Sequence, residues 1–166
     1  SIADVYLVRS DYFQQHKAEV QKFTAGYFKG CEELLEAKKA YNDGKGKSPA
    51  YMQMLGMAQK IYGQQVLPTI EEDAHGLVSD ASFVRIPGNE SFFTDSGNLS
   101  GFEAKQKSAL DLALKLGYTK NRAGFVKPNW DYKQLAATAG LSYTAPMAQQ
   151  GKVKAETLNF DDEEID

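Results

Sequence analysis

Between Ala18 and Tyr41, apolar side chains recur at three- and four-residue steps: Val20, Phe23, Tyr27, Cys31, Leu34 and Leu35. Lys22, Lys29, Glu33 and Glu36 fall off that stripe. A period near the helical repeat, sustained this long, predicts one amphipathic helix with a single buried face. Such a helix needs apolar surfaces from the rest of the chain, and four further helical patterns follow it. Ser48 caps a helix with Pro49 at its first position, Tyr51, Met54, Leu55, Ala58, Ile61 and Tyr62 on its apolar face, and Gly63 at its end. Thr69 with Glu72 forms a capping box that opens a short helix near Ile70. Ser100 with Glu103 forms another, ahead of Phe102, Ala109, Leu112, Ala113 and Leu116, with Gly117 as the stop. Asn129 or Asp131 caps a last short helix ending at Gly140.

Strand signals are few. "ADVYLVR", Ala3 to Arg9, is apolar and β-rich and reads as a buried strand, followed by a helical turn capped by Ser10 or Asp11. "SFVRIPGN" reads as extended, then turning at Pro87-Gly88-Asn89. The tally is about five helices and one or two short strands: an α/β chain, predominantly helical. A lone strand needs a sheet that this chain barely supplies. Together with a start that shows neither Met nor a signal peptide, it suggests a processed product or a fragment. Patterning fades after residue 143. Residues 144–166 read as an acidic tail or linker, with six acidic groups between Glu156 and Asp166.

Composition removes several function classes. A net charge of −3 argues against a nucleic-acid partner, which needs a basic face. No apolar run is long enough to span a membrane as a helix. Cys31, the single cysteine, cannot form an internal disulfide or a CxxC metal site, and its place on the helical stripe makes it a small core residue.

The chemistry-bearing residues form no catalytic pattern. His16 and His75 are far apart, outside any HExxH spacing, and lack further ligands for a metal. Asp73 and His75 are two residues apart and would not face each other on a helix. The pair Glu32-Glu33 shows no split of environments across a cleft. Glu71, Glu72 and Asp73 are explained by the helix dipole that acids stabilise at an N-terminus. There is no GxSxG elbow, and "GKGKS", Gly44 to Ser48, lacks phosphate-loop spacing. Lys120 and Arg122 lie in "GYTKNRAG", which reads as a solvated turn before an anion contact. No cofactor and no enzymatic activity are expected; a hydrolase or transferase acting through Asp73 to Asn89 lacks a nucleophile–base pair.

"EEDAHGLVSDASFVRIPGNESFF", Glu71 to Phe93, is the most irregular stretch. Asp80, Phe83, Arg85 and Asn89 are its candidate ligand-binding residues: an aromatic face with polar groups beside it suits a small polar molecule. The plainer reading makes Phe83, Phe92 and Phe93 anchors of a long connector whose polar groups satisfy its own backbone.

The order of elements resembles one family. "ADVYLVRSDYFQQHKAEVQKFTAGYFKGCEELLE" is similar to the return segment of nitrate/sulfonate/taurine-type ABC-transporter substrate-binding proteins, in which a strand and an "SD" turn lead into a long helix. "GFEAKQKSALDLALKLGY" and "DYKQLAATAGL" look like that family's later helices. The resemblance covers roughly residues 3 to 143 and rests on pattern order. It implies the C-terminal part of a type II periplasmic-binding-protein fold, two α/β lobes closing on a solute without catalysis. It also implies a small polar solute, an ABC permease and an N-terminal lobe of the same protein as partners, and a periplasmic or extracytoplasmic location. The family's first lobe has no counterpart here, so its ligand contacts cannot be carried over. A helical protein-interaction module is the alternative from the residues themselves.

Overall fold

Lys17–Asp43, a helix of 27 residues, is the spine of the computed structural model, which describes residues 4–147. In chain order the helices are α1 (Ser10–Gln15), α2 (Lys17–Asp43), α3 (Pro49–Tyr62), α4 (His75–Asp80), α5 (Ile86–Thr94), α6 (Phe102–Lys115) and α7 (Tyr132–Ala139). A single π-turn, Ile70–Ala74, runs directly into α4.

Two apolar cores lie along α2. Toward its N-terminal half, Ala25 and Phe28 pack with Ile86 of α5 and with Tyr132, Leu135, Ala136 and Ala139 of α7. Toward its C-terminal half, Leu34, Ala37 and Tyr41 pack against Tyr51 and Leu55 of α3, Leu67, Ala74, and Val78 of α4. The stripe read from the sequence is thus rotated at its start: Phe23 is exposed, and Ala25 and Phe28 take the buried places.

The α/β expectation, and with it the type II periplasmic-binding-protein fold, is overturned. Every regular element among the described residues is a helix. The anticipated strand fails for a physical reason. A strand exists by pairing its backbone with a neighbour, and no other described segment offers a ladder. The backbone groups of Val5, Tyr6, Leu7 and Val8 make no hydrogen bond to any described residue. All four side chains are exposed rather than buried, Val5 by 62%, Tyr6 by 70%, Leu7 by 69% and Val8 by 47%. Only the ring of Tyr6 is held, edge-on against Phe23 and Tyr27 of α2, with centroids 5.2 Å away in each case.

Other boundaries shift for local reasons. Pro87-Gly88-Asn89 is no turn; Pro87 sits in the first turn of α5, where its missing N–H costs nothing. Thr69 caps as expected, but its reciprocal partner is Asp73 and not Glu72. Asp73 Oδ2 accepts from the Thr69 backbone N–H and from the Thr69 hydroxyl, both at 2.8 Å. The wider π-turn, closed by Ala74 N–H to the Thr69 carbonyl at 3.2 Å, brings the fifth residue back to the cap in place of the fourth. At α6 the N-cap is Gly101 without a side-chain cap, and Glu103 instead accepts from Lys127 Nζ. Ser48, Asp131, Gly63 and Gly140 hold the roles expected of them. Most of the tail, residues 148–166, lies outside the described residues.

Candidate functional site

The expected ligand residues do not converge. Asp80 ends α4 on the exposed surface. Phe83 packs against the α3–α4 core. Arg85 lies side-on to Glu32 of α2, its Nε and a terminal nitrogen each donating to one carboxylate oxygen at 2.5 Å. The hydrogen bonds to Glu32, and its charge with them, raise the Arg85 pKa still further. Asn89 Nδ2 donates to the carbonyls of Val84 at 2.8 Å and Arg85 at 3.2 Å, tying down the first turn of α5. Three of the four have an internal partner. Phe92 and Phe93 stack edge-on with each other, and both approach Phe102 at the α5–α6 junction.

His75 acquires partners that sequence spacing concealed. Its Nδ1 lies 2.9 Å from the hydroxyl of Tyr51, a fully buried side chain, and its Nε2 lies 3.4 Å from Ser79 Oγ. The line Ser79–His75–Tyr51 has the order of a nucleophile, a base and an orienting group. Ser79 and His75, however, share one six-residue helix, and Tyr41 and Tyr51 pack about the imidazole with centroids 5.3 and 5.7 Å away. The bond seats α4 on α3. Among the described residues, no three His, Cys, Asp or Glu side chains gather to hold a metal ion. None of their helices is long and apolar enough to cross a membrane.

A different place offers a concave surface with mixed chemistry. Leu7, Val8, Arg9, Asp11, Tyr12 and Gln15 line an open depression of about 470 Å³ where the unpaired segment turns into α1. Leu7 and Val8 give it apolar surface, Arg9, Asp11 and Gln15 give it polar groups, and it is broadly open to solvent. Arg9 donates to both carboxylate oxygens of Asp11, at 3.1 and 2.7 Å. The Arg9 guanidinium, with the Tyr12 backbone N–H at 2.9 Å, holds the Asp11 carboxyl below its ordinary range. Tyr12 stacks face to face on His16 with centroids 4.1 Å apart, and a hydrogen bond to Glu19 pushes its phenol up. A second, smaller depression of about 310 Å³ borders Gly56, Gln59, Lys60, Gly63 and Gln64, where Gln59 Nε2 donates to the Leu67 and Pro68 carbonyls.

Sequence reasoning passed over Arg9, Tyr12 and Gln15 as site residues. Nothing in their sequence spacing marks them as a site. Comparison with family models, curated proteins and solved structures finds no match for this chain.

Proposed function

We propose that the chain is a non-catalytic solute-binding component of an ABC-type transport system, and that the depression at Leu7 to Gln15 is one wall of its site for a small polar molecule. The observation that carries this reading is the meeting of Leu7 and Val8 with Arg9, Asp11, Tyr12 and Gln15 in one solvent-open depression. A guanidinium beside a carboxylate suits a polar or ionic solute, and the exposed Arg9–Asp11 pair, at 84% and 60% exposure, exchanges readily for ligand contacts. On this reading the component works outside the cytoplasm and hands its solute to a permease.

The resemblance selects the probes: nitrate, taurine and a short alkylsulfonate, each followed by thermal shift and calorimetry. A saturable rise in melting temperature with one of them, lost in Arg9→Ala and kept in Asp80→Ala, is the expected result. Equal shifts in wild type and Arg9→Ala for every probe would overturn the site.

A second reading, a helical protein-interaction module, is favoured by α6. Leu112 is 56% exposed on it, Leu116 at its C-cap 55%, and Tyr118 follows at 83%. A helix-in-groove partner would cover such a face.

A further inference from the structure

We propose that two copies of the chain pair antiparallel through Asp4–Arg9, and that the second copy borders the depression. This rests on the solute-binding reading for its functional meaning, but the pairing stands on its own geometry.

The segment reads Asp-Val-Tyr-Leu-Val-Arg, with an acid at one end, a base at the other and four apolar residues between. Laid antiparallel on a copy of itself, Asp4 faces Arg9 of the second copy, Val5 faces Val8, and Tyr6 faces Leu7. Both ends then place opposite charges directly across the ladder, the favourable cross-strand arrangement. A parallel pairing in register would set acid on acid and base on base. The backbone groups of Val5 to Val8, which make no hydrogen bond to any described residue, gain partners in the ladder.

The pairing also solves the exposure. Tyr6 rests on α2 of its own copy. Side chains alternate between the two faces of a strand, so Val5 and Leu7 point away from that helix once the segment is a strand. Residues opposite each other in an antiparallel pair share a face, so Val5 and Leu7 of one copy come to the face covered by the other copy's α2. Phe23, 56% exposed on α2, is the side chain placed to cover them. The outcome is a two-stranded ribbon between two helices, with the self-complementary patch a two-fold dimer requires. Leu7, Val8 and Arg9 belong both to the ribbon and to the depression, so the second copy borders it.

Analytical ultracentrifugation of the full chain, with hydrogen exchange read at Val5 to Val8, tests this. The expected result is a concentration-dependent doubling of mass, accompanied by slowed exchange at those four residues. Leu7→Lys, at a side chain exposed in the single chain, abolishes the dimer while leaving the helical circular dichroism unchanged. Asp4→Arg and Arg9→Asp each weaken dimerisation about tenfold by turning two opposite-charge pairs into like-charge pairs. The double variant Asp4→Arg/Arg9→Asp restores it, which loss of the Arg9–Asp11 contact alone would not allow. A monomer at every concentration, a dimer indifferent to the charge variants, or a ribbon covered by some other polypeptide would each overturn the pairing. Thermal shift with nitrate or taurine is scored separately, so a failed dimer and a failed solute site give different results.

Discussion

Arg85 and Glu32, 53 residues apart, meet in a side-on pair with both donor–acceptor distances at 2.5 Å. The pair joins the chain just before α5 to the middle of α2, and Glu32 is the less exposed partner at 25% against 58%. Two parallel bonds fix geometry as well as charge. A double-mutant cycle of Arg85→Ala and Glu32→Ala should give a coupling of about 1 kcal/mol, the upper range for a partly exposed pair. Urea denaturation reads it, and Arg85→Lys should not replace it, because a single ammonium cannot bridge both oxygens.

Tyr51 buries its hydroxyl against His75 Nδ1 at 2.9 Å. Tyr51→Phe removes one bond and should cost about 1 kcal/mol. His75→Ala should cost more, about 1–3 kcal/mol, since it leaves a buried hydroxyl without a partner. Combining His75→Ala with Tyr51→Phe should recover part of the loss, measured as the urea midpoint. Equal effects of the two single variants would show that the bond does not seat α4.

Asp73 is held below its ordinary carboxylate range by the Thr69 hydroxyl and backbone N–H. A carboxyl whose pKa is depressed in the folded state contributes stability above its unfolded value, near 3.9, and loses it as pH falls through the folded value. The contribution should therefore be full at neutral pH and fade below about pH 4. Asp73→Asn should lower the melting temperature at pH 7 and flatten the acid limb of the profile. A parallel downward shift at every pH would contradict this.

The two cores make a test of cooperativity. Leu55 and Leu135 are both fully buried, one in each core. Leu55→Ala and Leu135→Ala should each cost about 2–5 kcal/mol. Because α2 lines both cores, a single unfolding transition is expected in each variant. A second transition in Leu55→Ala alone, resolved by calorimetry, would mean that the α3–α4 end opens by itself.

Burial pushes the Tyr132 phenol up to about 12, with the Glu90 charge adding to it. Folding then favours the protonated ring, so this contribution is present below the unfolded value near 10 and is lost as pH rises toward about 12. Ultraviolet difference titration should show Tyr132 among the last tyrosines to ionise, and Tyr132→Phe should remove that late step. Ionisation of all tyrosines together near pH 10 would count against it.

Helix locations were legible because their causes are local. Ser48-Pro49 and Asp131 carry their caps in adjacent residues, and Gly63 and Gly140 adopt positive φ, at 88° and 69°, where a residue without a Cβ is at no disadvantage. Two things escaped. The helix at Ile86–Thr94 was hidden because Pro-Gly-Asn signals a turn when seen alone. The Thr69–Asp73 cap was hidden because nothing in the spacing announces a π-turn. At the site, Arg85 and Asn89 had the right chemistry to attract notice, but their partners Glu32 and the Val84 carbonyl were invisible to spacing.

Linear patterning alone dictates a long amphipathic α2, an apolar run before it and short helices after it. Periodicity and capping are set within a few residues, so a linear reading reaches them. Packing between distant segments sets which face of α2 is buried, which side chain Arg85 engages, and that Val5 to Val8 find no ladder among the described residues. Those outcomes depend on surfaces brought together from distant positions. A strand above all has no backbone partner of its own, and its existence is settled by what lies beside it.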